Sequence, residues 1–401
     1  MTREFSKRLA NLGTETAFSV SLDASNQLEK GKKVYPFHLG DLDMRTPDNI
    51  IEAGHRAMLE GKTGYDPSAG IQPLREVLAS NIGNDRCLNY EPNNVAIQPG
   101  GKPVISKFLE VLMNPGEAVL YPNPGFPIYE SQIDYLGGRS IPYGYTYTGT
   151  GFEINRDQIE SQIDNNTCAI IYNNYQNPIA AESSDEEMEW LAETANKHDL
   201  WVLSDEAYFK ILYTGKGKSI VSLPEMQKRT VILYTFSKTY AMTGWRLGAA
   251  IGPEAIISVI AKINVNVESC TNHFIQYAGI EALTGDQSGA MNILETLRQR
   301  RDTLLMELKK INGVNVFKPN SSFYLFPDIT QVYNRLGSQS MEDFRIRTLE
   351  ATGVSFCTRE HFGTPLPSES RKFVRFAFSG IDCESIREGL ATLQEYWNKG
   401  C

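Results

Sequence analysis

The chain has 401 residues, 41% hydrophobic and 22% charged, with a formal net charge of −9 at neutral pH. That length can bury a large core and predicts two or three domains, and the charge content is ordinary for a soluble globular protein. The acidic surplus argues against nucleic acid as a partner, because phosphate backbones need a basic surface, but it leaves room for a local cationic pocket.

The N-terminal run MTREFSKR is charged and lacks an apolar core, and no apolar stretch approaches the roughly 18 residues that span a bilayer. A cytoplasmic protein without membrane contact is therefore expected. The six cysteines (Cys87, Cys168, Cys270, Cys357, Cys383, Cys401) include no C-x-x-C pair and read as reduced thiols. The five histidines have no metal-ligand spacing, so no metal is expected.

Along the chain, the first 45 or so residues show no repeated unit and are expected to form an arm on a C-terminal domain. Gly61-Lys62-Thr63 has the ending of a phosphate loop, but that motif needs glycine five positions earlier, where Arg56 stands. Between about 90 and 252, short apolar runs alternate with amphipathic stretches. Strands are predicted at Asn94–Gln98, Ala118–Tyr121, Ala169–Tyr172, Trp201–Ser204, Val231–Tyr234 and Gly248–Ile251. Their near-continuous apolar character suits a sheet covered by helices on both faces. Ser184 and Glu187 have capping-box spacing, and Met188, Leu191, Ala192 and Ala195 make one apolar helix face. Strand–helix–strand units of this kind build a doubly wound, mainly parallel sheet with ligands at the C-terminal ends of its strands. After about 286 the pattern changes to a long helix, Met291 to Ile311, then strands at Val314–Phe317, Phe323–Phe326 and Phe373–Phe378, a smaller α+β domain. The expected division is an arm over 1–46, a large domain over 47–288 and a small domain over 289–401.

Four strand ends carry chemistry. Gly100-Gly101-Lys102 follows the first strand and opens a helix whose N–H groups form an anion site. Asn177, in Asn173-Asn-Tyr-Gln-Asn177-Pro178, places an amide after the third. Asp205 follows the fourth, where a carboxylate can pair with a cationic ring nitrogen, and Tyr208 three residues on can reach a phenolic oxygen of the same ring. Lys238 follows the fifth among small hydroxyl residues, three after Thr235 and eight before Arg246. That setting suits an imine-forming amine beside a phosphate held by a hydroxyl and a guanidinium fork. Together they describe a pocket for a phosphorylated pyridine.

With these motifs in this order, nearly the whole chain resembles the pyridoxal-phosphate-dependent aminotransferases of fold type I, the class I/II group that includes aspartate aminotransferase. Ser237-Lys238-Thr-Tyr-Ala-Met-Thr-Gly-Trp-Arg246 is similar to the family's lysine signature, which implies that Lys238 carries the cofactor. The resemblance implies that Asp205 keeps the pyridine nitrogen protonated, that Tyr208 and Asn177 bond the ring oxygen, and that Phe126 stacks on the ring. Gly101, Lys102, Thr235 and Arg246 fall where the family binds phosphate. Gly40, in Phe37-His-Leu-Gly40-Asp-Leu-Asp-Met-Arg-Thr-Pro47, and Arg375, in Val374-Arg375-Phe-Ala-Phe, fall at the substrate carboxylate. Tyr65, in Tyr65-Asp-Pro-Ser-Ala-Gly70, matches a tyrosine that reaches the neighbouring subunit's phosphate, which implies a homodimer with shared sites. The expected activity is transfer of an amino group between an L-amino acid and a 2-oxo acid.

Two segments depart from the family. Its N-P-T-G is Asn177-Pro178-Ile179-Ala180 here, and its P-x-G-[AG]-F is Pro319-Asn-Ser-Ser-Phe323, which puts Ser321 and Ser322 beside the expected substrate mouth. Lys102 suggests a second substrate carboxylate, as in aspartate or glutamate, whereas Glu268 in the arginine-free segment Asn264 to Asn272 would repel one. Asp41-Leu-Asp43-Met44 faintly resembles a C–S lyase pattern; the first alternative is therefore such a lyase or another Cα-deprotonating synthase, and a non-catalytic cofactor-binding regulator is the second.

Overall fold

The structure, a computed structural model, describes residues 4–14 and 16–399; Cys401 lies outside them. Its central layer is a seven-stranded sheet. The strands are β1 (Val95–Gln98), β2 (Ala118–Pro122), β3 (Arg139–Tyr143), β4 (Thr167–Tyr172), β5 (Trp201–Asp205), β6 (Thr230–Thr235) and β7 (Gly248–Ile251). They lie in the order β1-β7-β6-β5-β4-β2-β3, and only β7 runs antiparallel to its neighbours. All six expected strands form. The seventh, β3, escaped the sequence reading because Arg139-Ser-Ile-Pro-Tyr143 is polar and holds a proline, which an edge strand tolerates.

Successive strand residues face opposite sides, and both sides are covered. Val119, Ile171 and Leu203 pack under helices Lys102–Leu112 and Glu254–Val267 through Ile105, Phe108 and Ile260. Leu120, Ile170 and Val202 meet Met188, Leu191 and Ala195 of helix Asp185–Lys197. This double burial, roughly 1.5–3 kcal/mol for each large apolar side chain, explains why the strands read as unbroken apolar runs.

The cap of helix Asp185–Lys197 forms only in part. Ser184 Oγ accepts from Glu187 N at 3.1 Å, but the Glu187 carboxylate, buried, accepts instead from Ile154 N at 2.5 Å. The unpaired amide of the hairpin strand Phe152–Ile154 takes the group that a capping box would have turned back.

Beyond the sheet, helix Ser288–Leu308 leads to a three-stranded sheet in which Val374–Ala377 lies between Tyr324–Leu325 and Cys357–Thr358. The expected strand Val314–Phe317 does not form: its one pairing is a bridge between Asn315 and Asp328. Asp328 also bridges Phe373, while Phe317 turns into an aromatic cluster with Phe152, Phe326 and Phe373. Apolar packing rather than a ladder holds that segment. Tyr35–Pro36 pairs in parallel with Val354–Ser355, and Phe37 packs edge-on against Phe376 at 5.3 Å between ring centroids. Among the described residues, no helix is long and apolar enough to cross a membrane, no cluster could hold a metal ion, and the five described cysteines are free thiols.

Candidate active site

The topology gathers the strand ends. Because β7 runs against both β1 and β6, Gly248 lies opposite Gln98 and Thr235, so the loop preceding it meets the C-terminal ends of both neighbours. Gly100, Thr235 and Arg246 converge there. Gly100 holds φ at +99°, and a Cβ on it would run into the Arg246 guanidinium. Arg246, itself left-handed at φ +56°, donates from Nη1 to Thr243 O at 2.8 Å. Thr235 Oγ1 bonds Ser237 Oγ at 2.8 Å, and the eleven-residue helix Lys102–Leu112 starts beside them. The positive end of that helix, two hydroxyls and a guanidinium make an anion cradle.

Next to the cradle, Lys238 Nζ donates to Gly40 O at 2.9 Å. Asp205, the last residue of β5, is buried, and its carboxylate accepts from Tyr129 Oη at 2.6 Å and from Ala207 N at 3.1 Å. Burial pushes its pKa up, while those two donors and the Lys238 charge oppose the rise. Such a carboxylate is poised for a further cation. Asn173 Nδ2 donates to Asp205 O at 2.8 Å, and Asn173 Oδ1 accepts from Asn177 N at 3.2 Å. Tyr208 Oη and Tyr324 Oη share a hydrogen bond of 2.6 Å, and burial keeps the Tyr208 phenol protonated far above its ordinary range.

Arg375 closes the far side. It is buried on the middle strand of the smaller sheet; Nη1 donates to Asn177 Oδ1 at 3.0 Å and Nη2 to His38 O at 2.5 Å. Its guanidinium carbon sits 4.7 Å from the Tyr324 ring centroid and 4.6 Å from that of Phe362, and Nε is buried with no hydrogen-bond partner. A buried donor left unpaired between two rings is what an incoming carboxylate would satisfy. His38 and His361 line the same space; burial together with the charges of Arg375 and Arg345 lowers both imidazoles to about 4.

One cavity of about 400 Å³ contains this chemistry, and every expected site residue lines it except Tyr65. Lys102 Nζ stands 5.5 Å from the Phe126 ring centroid on one wall. Tyr65 lies elsewhere, 89% exposed. Glu268 is not on the lining either: its carboxylate is taken by Lys107 Nζ, which also donates to Gln98 Oε1 and Asn264 Oδ1 at 2.7 Å each. Ser321 and Ser322 are fully buried and also off the lining, so the expectation that they flank the mouth is corrected. They sit behind it, where Ser322 N donates to Ile211 O at 3.0 Å and Ser321 bridges Leu212. Sequence reasoning gave no role to Tyr129, Asn173, Tyr324, His38 or Ser237. Ser237, Asn173 and His38 stood inside recognised segments and Tyr129 three residues after Phe126, whereas Tyr324 had no local signal.

Residues 32–393 match the family model described as aminotransferase class I and II. The chain belongs to the class I and II aminotransferases. It is 33% identical over 400 residues to an aspartate aminotransferase of Sulfolobus acidocaldarius, covering 98% of each chain. Among solved structures it superposes on an alanine aminotransferase from Pyrococcus furiosus with a TM-score of 0.90 at 25% identity, covering 99% of this chain and 100% of that one. The aspartate aminotransferase from Thermus thermophilus with maleate gives 0.89 at 28%, covering 98% and 100%. The aminotransferase shares with these structures its mixed α/β fold around a mainly parallel sheet.

Proposed function

We propose that this aminotransferase holds pyridoxal phosphate on Lys238 and uses aspartate or glutamate as amino donor, working as a cytoplasmic homodimer with the division 1–46, 47–288 and 289–401. The observation that carries the cofactor is the convergence of Lys238, a buried carboxylate at Asp205 and the anion cradle of Thr235, Arg246 and Gly101 on one cavity. The residues fit the group: a Cβ at position 100 would fill the cradle, and Asp205 carries a raised pKa that a cationic ring nitrogen would bring down. Pyridoxal phosphate, when bound, draws off the electrons left at the substrate Cα after proton loss.

The protein's part is to place and move protons. Lys238 Nζ, positioned by the Gly40 carbonyl, would take the proton from Cα and deliver it instead to the cofactor carbon that keeps the amino group. Asp205 holds a proton on the ring nitrogen, and Tyr129 and Ala207 hold Asp205. Tyr208 and Asn177 bond the ring oxygen, Phe126 backs the ring, and Arg375 takes the α-carboxylate through its fork, with Nε still available. Lys102 on the cavity wall supports a second substrate carboxylate, as do the names of the Sulfolobus enzyme and the Thermus structure with maleate.

Addition of L-aspartate alone to the loaded enzyme tests this. The visible band should convert to that of pyridoxamine phosphate with one equivalent of 2-oxo acid, and Lys238→Ala should lack both the band and turnover. Release of ammonia and pyruvate from L-cystathionine or L-cysteine, which carry a β-sulfur leaving group that aspartate lacks, would favour the lyase alternative. Asp43 gives that alternative no support, since its carboxylate clamps Arg300 at 2.8 and 3.1 Å.

A further inference from the structure

Tyr324 touches more of the site than any recognised motif explains. It lies on a two-residue strand of the smaller sheet, opposite Ala377, and is 1% exposed. Its hydroxyl bonds that of Tyr208 at 2.6 Å, although 116 residues separate the two. The same hydroxyl occupies the space where a Cβ on residue 40 would stand, which requires glycine at the position whose carbonyl receives Lys238 Nζ. Its ring lies 4.7 Å below the Arg375 guanidinium. The Tyr208 ring is pinned edge-on by Phe323 at 5.2 Å and by Tyr324 at 5.6 Å between centroids, so the hydroxyl torsion is its remaining freedom.

We propose that Tyr324 is a positioning residue that donates its hydroxyl proton to Tyr208 and thereby leaves the Tyr208 proton pointing into the cavity, while its ring supports Arg375. The inference rests on the cofactor reading above. Each hydroxyl carries one proton and the pair uses one of them. Tyr208 must keep its own for a ring oxygen in the cavity, so Tyr324 is the donor within the pair. A hydroxyl that accepts one bond also becomes a stronger donor in the next.

The test is a pH titration of the visible absorbance of the loaded enzyme, which reports the hydrogen bonds to the cofactor's ring oxygen independently of turnover. Tyr324→Phe keeps the ring and should raise the midpoint by about half to one unit, the scale of one weakened hydrogen bond. Tyr208→Phe should raise it further, and adding Tyr324→Phe to Tyr208→Phe should move it no more, because the effect passes through the Tyr208 oxygen. The KM for the amino donor should stay within about twofold in Tyr324→Phe but rise about fivefold in Tyr324→Leu, which removes the ring under Arg375. An unmoved midpoint in Tyr324→Phe, or an equal shift with and without the Tyr208 hydroxyl, overturns this inference alone. No visible band in the wild-type protein supplied with pyridoxal phosphate overturns the cofactor reading and this inference with it.

Discussion

Asp205 sets the electronic demand of the site, and its environment is unusual for a carboxylate. It is buried, and Tyr129, which bonds it at 2.6 Å, is itself wholly buried. Asp205→Ala should leave the visible band in place and slow proton abstraction by about a thousandfold or more, near 4 kcal/mol of barrier. Tyr129→Phe removes one hydrogen bond to a charged group, so a loss of about tenfold to a hundredfold is expected in the same single-turnover measurement. If Asp205→Ala cost only a few-fold, another group would have to partner the ring nitrogen. The two cavity histidines carry a separate consequence. His38 and His361 fall from 6.5 to about 4 on folding, so the unfolded chain binds more protons between those values. Stability should therefore drop as pH falls below 6.5, by about 2 kcal/mol per imidazole at pH 5 relative to pH 7. His38→Gln should lessen the fall in denaturation midpoint between those two pH values; an unchanged slope would show that His38 titrates normally.

At the scale of elements, the two departures from the family pattern have the same conformational content. Ala180 has φ +52° and Ser322 has φ +58°, left-handed positions that a residue with a Cβ occupies at a cost. Ala180 stands where the family has glycine, and Ser322 where it has alanine or glycine. Their backbones remain engaged: Ala180 N donates to Gln176 O at 2.7 Å and Tyr213 Oη to Ser322 O at 2.6 Å. Ala180→Gly should stabilise the protein by about 1 kcal/mol, since relief of the Cβ strain outweighs the greater freedom of glycine in the unfolded chain. A lower denaturant midpoint in that variant would mean that the buried Ala180 methyl contributes more through packing than it costs in strain.

For the whole molecule, Tyr65 decides the matter. It stands on the turn-rich stretch Gly64–Gly70, nearly fully exposed and outside the cavity of its own chain. If the chain forms the proposed homodimer, that exposure is covered and the hydroxyl reaches the other subunit's anion cradle. Mixed dimers of Tyr65→Ala and Lys238→Ala chains would then contain one intact site and one doubly altered site, a symmetric consequence of a two-fold interface. Subunit exchange should recover up to half the wild-type activity per mixed dimer, provided Tyr65→Ala alone is clearly impaired. A fully active monomer on sizing would refute shared sites.

What the sequence by itself determined was local. Apolar runs of four or five residues are followed within two positions by Asp205, Thr235 and Gly100, and strand ends of a doubly wound sheet share one edge, so these residues were legible as one pocket from the sequence. The edge strand β3 and the unpaired segment Val314–Phe317 were not, because a strand's existence depends on the neighbour it finds rather than on its own pattern. Only the tertiary structure decided the partners: Tyr129 for Asp205 across 76 residues, Tyr324 for Tyr208 across 116, and Lys107 for Glu268 across 161. A hydrogen bond is directional and short, so its existence turns on where separately folded elements cross, and that is set by the packing of the whole core rather than by any stretch of sequence.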